Sequence, residues 1–196
     1  MNCLEMCCKA MKAKYVFDDR KEMCERLCKN IRLHWKGNRV NNEDALLFLA
    51  LPVVMDIHGR ESGTYRYVFQ DIDVYVHSRI RGHEIDALIL FTKKISSIRR
   101  YSILLELKEH DMGKLVKQLL KRRKFATWCY GVIDLGPNDV LHILFNNKWM
   151  LGEMMAHGIG LISMYGDIPI VILESTRTKT AIPPITLEEF LKQNIN

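Results

Sequence analysis

Two stretches of the chain carry charge where burial should forbid it. In GHEIDALILF, residues 82 to 91, Asp86 stands among Ile85, Ala87, Leu88 and Ile89; in SILLELKEH, residues 102 to 110, Glu106 and Lys108 flank Leu107 after Ile103, Leu104 and Leu105. Charge in an apolar strand is costly unless it is paired or bound to a metal. Side chains alternate along a strand, so Glu106 and Lys108 share one face while Leu105 and Leu107 take the other, and Asp86 joins them when the two strands are neighbours. Two carboxylates brought together repel, and a hard divalent cation with oxygen ligands is the usual reason for tolerating them. Mg²⁺ fits, with one oxygen each from Asp86 and Glu106, the backbone carbonyl of Leu107 and several waters, one of which becomes a better nucleophile as its pKa falls. Lys108 would orient that water or steady the developing negative charge. Phosphodiester hydrolysis is the reaction such a set suits.

These residues need strands to hold them, and the surrounding pattern supplies them. Residues 65 to 75, 83 to 91 and 101 to 108 are rich in β-branched, aromatic and Leu residues and read as three successive antiparallel strands. Upstream, residues 18 to 35 read as one helix, with Asp18 or Asp19 as N-cap and Met23, Leu27, Ile31 and Trp35 at four-residue steps; Gly37 and Asn38 end it. Asn42 caps a second helix through Glu43, Leu46, Leu47 and Phe48, which Pro52 would stop or kink. Downstream come a basic helix over 112 to 125, strands at 127 to 134 and 140 to 145 across Gly136-Pro137-Asn138, and a helix over 147 to 156. A hairpin of 161 to 165 with 168 to 173 turns at Gly166-Asp167, and a short helix over 187 to 193, capped by Thr186, closes the chain. The expected architecture is α/β: a helical segment over 1 to 41, then one sheet-centred domain over 42 to 196.

The 196 residues, 48% hydrophobic and 27% charged, are enough for one domain with a real core, which excludes disorder and collagen-like structure. No run approaches the roughly 20 apolar residues of a membrane span. The first fourteen residues lack the apolar core of a signal peptide, so the expected location is intracellular, in the cytoplasm. Twenty-nine Lys and Arg against 23 Asp and Glu leave a charge of +6, and KLVKQLLKRRK, residues 114 to 124, alone accounts for the excess. At 100° per residue, Leu115, Val116, Leu119 and Leu120 form one arc, and Lys114, Lys117, Lys121 and Lys124 a stripe opposite. Such a stripe either faces solvent or, together with Arg122, meets the phosphates of a nucleic acid.

A Glu-x-Lys tripeptide arises by chance about once in a chain of this composition, so its context decides. The order is a strand with Asp86, a hairpin, a strand ending in Glu106-Leu107-Lys108, a helix with Gln118 and a lysine stripe, then an apolar strand. Over residues 42 to 134 this arrangement resembles the PD-(D/E)XK nuclease superfamily, which includes restriction endonucleases and, nearest here, archaeal Holliday junction resolvases and small nucleases of archaeal viruses. The resemblance implies a restriction-endonuclease-like core, a mixed sheet flanked by helices, that cuts DNA with Mg²⁺ or Mn²⁺. It implies that Asp86 and Glu106 bind the metal, that Lys108 serves the water and that Gln118 takes the polar position on the following helix. Glu43 matches the acid that members often carry before the sheet, with Glu25 a second choice. No Pro precedes Asp86, and Arg122 stands where some branches have a Tyr four residues after the Gln. A junction resolvase works as a homodimer on branched DNA, and Trp149, Met150, Leu151, Met154 and Met155 offer an apolar segment for its interface or for the core.

Other readings remain. The charged trio suits an ordinary ion pair at strand ends. A nucleic-acid-binding or assembly protein could keep the fold without cutting. Cys3 and Cys7, then Cys24 and Cys28, form two C-x3-C pairs, the pattern of disulfide-pinned helical hairpins, of a metal site or of small apolar residues at a helix interface. The seven histidines show no zinc spacing; His83 and Glu84 stand close enough to Asp86 to line a cleft.

Overall fold

The computed structural model describes residues 18–35, 42–64 and 66–193, those of 18–23 by backbone alone. Helix α1 (Asp18–Asn30) stops where the Asn30 side-chain amide turns back to the carbonyl of Arg26 at 2.7 Å. Strand β1 (Ile31–Trp35) follows at once and pairs in parallel with β2 (Phe69–Ile80). The single helix expected over 18 to 35 is thus a helix and a strand. A four-residue step is an even number, so Ile31 and Trp35 share a strand face as readily as a helix face, and both pack on the core.

Helix α2 (Asn42–His58) runs through Pro52 instead of stopping there. An internal proline costs about 3 kcal/mol, and the burial of Leu51, Val54 and Met55 beside it offsets that cost. Strands β2, β3 (His83–Lys94) and β4 (Ile98–Lys108) are the three antiparallel strands expected, with β2 lying later in sequence than the 65 to 75 predicted. Its end is fixed by a tight turn, Arg81 and Gly82, both at positive φ (49° and 80°).

Helix α3 (Met112–Arg122) begins at Asp111, whose carboxylate accepts from the Lys114 amide at 2.8 Å, and ends in a 3-10 turn, Arg123–Phe125. Strand β5 (Trp128–Ile133) returns parallel to β4. Residues 140 to 145, predicted as a strand, lie in helix α4 (Pro137–Asn146). Pro137 opens the first turn, where its fixed φ and missing N–H suit a helix start and not a hairpin, and Val140 and Leu144, four apart, face the core. Helix α5 (Lys148–Ala156), strands β6 (Gly160–Tyr165) and β7 (Ile168–Leu173) and helix α6 (Pro184–Gln193) complete the described chain; α6 starts two residues before Thr186.

The seven strands form one mixed sheet whose spatial order equals the sequence order, β1 to β7. Helices α1 and α2 cover one face with an apolar layer, and α3 to α6 cover the other. This is the α/β architecture expected, a mixed sheet flanked by helices with a helix in front of it. Among the described residues no helix is long and apolar enough to cross a membrane. Cys24 and Cys28 are disulfide-bonded; Cys3, Cys7 and Cys8 lie outside the described residues. The segment offered as an interface divides: Met150 and Met154 are core, while Trp149 and Met155 are exposed.

Candidate active site

The charged residues of β3 and β4 meet at one end of the sheet. The registered pair Ala87–Leu105 places Asp86 opposite Glu106 at the next step. Asp86 Oδ2 accepts from the Leu107 backbone amide at 2.8 Å, which fixes the carboxylate against the edge of β4. Glu106 is fully buried, at 0% exposure. Its Oε2 is bound by the Arg122 guanidinium from α3, and its Oε1 has no partner. Burial first and then the neighbouring Asp86 charge push the Glu106 pKa up to about 9, against the opposing pull of Arg122. Burial likewise raises that of Asp86.

Lys108 ends β4 with its ammonium 2.9 Å from Glu43 Oε2, 2.6 Å from the Leu107 carbonyl and 4.0 Å from Asp86 Oδ2. Glu43, in the first turn of α2, is therefore the third acid brought to this end of the sheet, whereas Glu25 is exposed on α1. The Leu107 carbonyl, expected to face a metal, is engaged by Lys108, because the flexible Lys stem folds back onto its own neighbour.

Helix α3 supplies the other wall. It can approach because β5 carries Gly131 in register with Glu106: a Cβ there would lie 2.8 Å from Leu119 Cδ1 and 2.9 Å from Leu115 Cδ2. That approach brings Gln118 and Arg122, one turn apart, over the strand. The Gln118 side-chain oxygen is buried without a partner. Gln118, Lys114, Lys117 and Lys121 line one groove of about 400 Å³ together with Asp111. The basic stripe is thus the wall of a concavity.

Two residues expected on that stripe lie elsewhere. Arg122 is only 12% exposed and turned inward to Glu106, because a buried carboxylate draws the nearest guanidinium. Lys124 lies past the helix, in the 3-10 turn, with its ammonium 5.6 Å from the Phe125 ring. His83 packs on that same ring, 5.5 Å between centroids, and Glu84 is exposed, 3.9 Å from Arg79.

A divalent cation needs oxygen donors and a reason for them to be held together. Among the described residues no three His, Cys, Asp or Glu side chains already converge as a cage. The donor set still fits Mg²⁺: Asp86 stands beside Glu106 and raises its pKa, and Glu106 Oε1 and Gln118 Oε1 are buried and unbonded. A cation that keeps most of its waters requires no more protein than this. No family model, curated protein or solved structure matches the chain.

The sequence did not reveal Arg122 as a partner of Glu106, nor His77 and Asp44, which pair at 2.8 Å beside Glu43. A lone histidine within a strand gives no signal until its neighbours are known.

Proposed function

We propose that the chain is a Mg²⁺- or Mn²⁺-dependent endonuclease of the PD-(D/E)XK, restriction-endonuclease-like kind, hydrolysing phosphodiester bonds in DNA. The observation that carries this reading is Glu106: a fully buried carboxylate with one oxygen unpartnered, set opposite Asp86 and one residue from Lys108. An apolar core gains nothing from such a group, whereas a cation site requires it.

In this reading Asp86 and Glu106 would hold the cation, whose chemistry when bound would be to make water a better nucleophile and to offset charge on the phosphate. Lys108, poised between Glu43 and Asp86, steadies the attacking water or the charge that develops on the phosphoryl oxygens. Gln118 donates its amide toward the substrate or accepts from a cation-bound water through its free oxygen. Lys114, Lys117 and Lys121 hold the DNA backbone along the groove.

One metal site cuts one strand, so paired cuts in a branched DNA would come from a homodimer. Leu141 and Phe145 on α4, four apart, and Trp149 at the start of α5 are exposed apolar side chains for the second copy. Sedimentation at micromolar concentration checks this, and a monomer there removes the argument for paired cuts.

The second reading is a nucleic-acid-binding protein of the same architecture that does not cut, favoured by one contact: Arg122 already satisfies half of Glu106. A cleavage assay on single strands, duplexes, flaps and four-way junctions separates the two, run with Mg²⁺, Mn²⁺, Ca²⁺ or chelator. The nuclease predicts cleavage in Mg²⁺ or Mn²⁺ alone; binding without cleavage under every condition selects the second reading.

A further inference from the structure

At the start of α2, Glu43 and Asp44 each hold a basic partner from a different strand. Glu43 takes Lys108 of β4 at 2.9 Å, and Asp44 takes His77 of β2 at 2.8 Å. Between those strands lies β3 with Asp86. The registered pairs Val76–Ala87 and Ser78–Ile85 leave His77 directly opposite Asp86. The two pairs thus bracket the carboxylate that the nuclease reading assigns to the metal, Lys108 on one side and His77 on the other.

His77 is held there at a cost. Its φ is 53°, in the left-handed region that, glycine aside, Asn, Asp and His enter most readily and that is rare inside a strand. Asp44 is 1% exposed and meets the imidazole with its carboxylate, while the His77 side chain keeps 24% exposure. The Trp35 ring stands edge-on to the imidazole at 5.8 Å and limits its rotation. A carboxylate accepts, so Nε2 donates to Asp44, and among the described residues Nδ1 has no hydrogen-bond partner.

We propose that His77 is a substrate-phosphate contact of this site, oriented by Asp44 as its positioning residue; the proposal rests on the nuclease reading and extends it. With Asp44 accepting from one ring nitrogen, a phosphate oxygen would accept from the other. The ligand is a phosphodiester of the DNA backbone, gripped on the side of Asp86 away from Lys108 and the lysine groove. No covalent change occurs at His77.

The test is duplex binding by the full chain in Ca²⁺, in place of Mg²⁺ to suppress cleavage, as a function of salt. His77→Asn is the first variant, because Asn tolerates positive φ and keeps the turn of the strand. It should weaken binding several-fold and lower the slope of log K against log salt by about 0.9, the loss of one phosphate contact. Asp44→Asn should weaken binding in the same direction, and the double variant should be no weaker than His77→Asn alone, since the two act as one unit. A structural role alone would lower thermal stability and leave the slope where it was. Wild-type affinity and slope in His77→Asn, while Lys114, Lys117 and Lys121 replaced by Ala lose both, overturns this proposal and leaves the nuclease reading standing. A wild-type chain that binds no DNA in Ca²⁺ overturns both.

Discussion

The Arg122 guanidinium reaches Glu106 Oε2 from a helix that starts only after the strand carrying Glu106 has ended, and it leaves Oε1 as that carboxylate's one free atom. Arg122 thereby opposes the burial that raises the Glu106 pKa and fixes the rotamer that aims the carboxyl group. Removing Arg122 leaves Glu106 Oε2 without its partner as well as Oε1, and the Glu106 pKa, already raised by burial, rises further. Arg122→Ala should therefore unfold at a markedly lower temperature than wild type in chelator. Mn²⁺ should restore more of the loss in the variant than it adds to wild type, since a cation supplies the missing positive charge. Equal Mn²⁺ shifts in the two chains, read by thermal unfolding, would place the cation away from Glu106.

Asp86→Asn and Glu106→Gln exchange a charge for an amide of nearly the same shape. Each should abolish metal-dependent cleavage while leaving DNA binding in Ca²⁺ largely intact. Lys108→Ala should lower the turnover rate by roughly 10²–10³-fold, the usual loss for one group that steadies transition-state charge, with the metal concentration at half-maximal rate little changed. Unchanged turnover in Lys108→Ala would return Lys108 to an ordinary ion pair with Glu43.

The groove lysines act through charge and not through sequence. Replacing Lys114, Lys117 and Lys121 by Ala should weaken binding to all duplexes alike and lower the salt slope by about 2 to 3, near 0.9 for each phosphate contact. The same slope as wild type would mean that the groove faces only solvent.

His58 gives a pH signature independent of the site. It is buried, stacks on Trp128 at 4.2 Å and bonds the Tyr130 hydroxyl at 2.8 Å; burial, aided by the Lys93 charge, lowers its pKa to about 3. The unfolded chain takes up a proton near pH 6.5 while the folded one does not. Stability from this group is therefore full above about pH 6.5 and falls toward pH 3, by up to about 1.4 kcal/mol per pH unit. His58→Gln should flatten that acid limb by one proton in denaturant unfolding at pH 7 and pH 5. An identical limb would mean that His58 is protonated in the fold.

The acids and lysine of the site were legible because charge inside apolar strands stands out against its neighbours, as Asp86 does in IDALIL and Glu106 in LLELK. The three antiparallel strands followed from the β-rich pattern that begins at residue 65, and the mixed sheet was what the resemblance implied. His77, Arg122 and Gly131 were not legible in their roles, since each depends on a partner 12 or more residues away that only tertiary packing brings near. Residues 140 to 145 were misread because VLHILF is apolar but for His142, which fits strand and helix equally, and the choice belonged to Pro137. The strand 31 to 35 was hidden by an apolar spacing that both periods satisfy.

That the strands lie across the sheet in the order in which they are made has a consequence for how the chain is born. No strand has to be threaded between two that already pair, so a polypeptide leaving the ribosome N-terminus first extends its sheet at a single growing border. Until β5 is released, that border is β4, whose unpaired amides and carbonyls run beside Glu106 and Lys108. The nascent chain is thus most open to wrong pairing at the moment its reactive strand is complete.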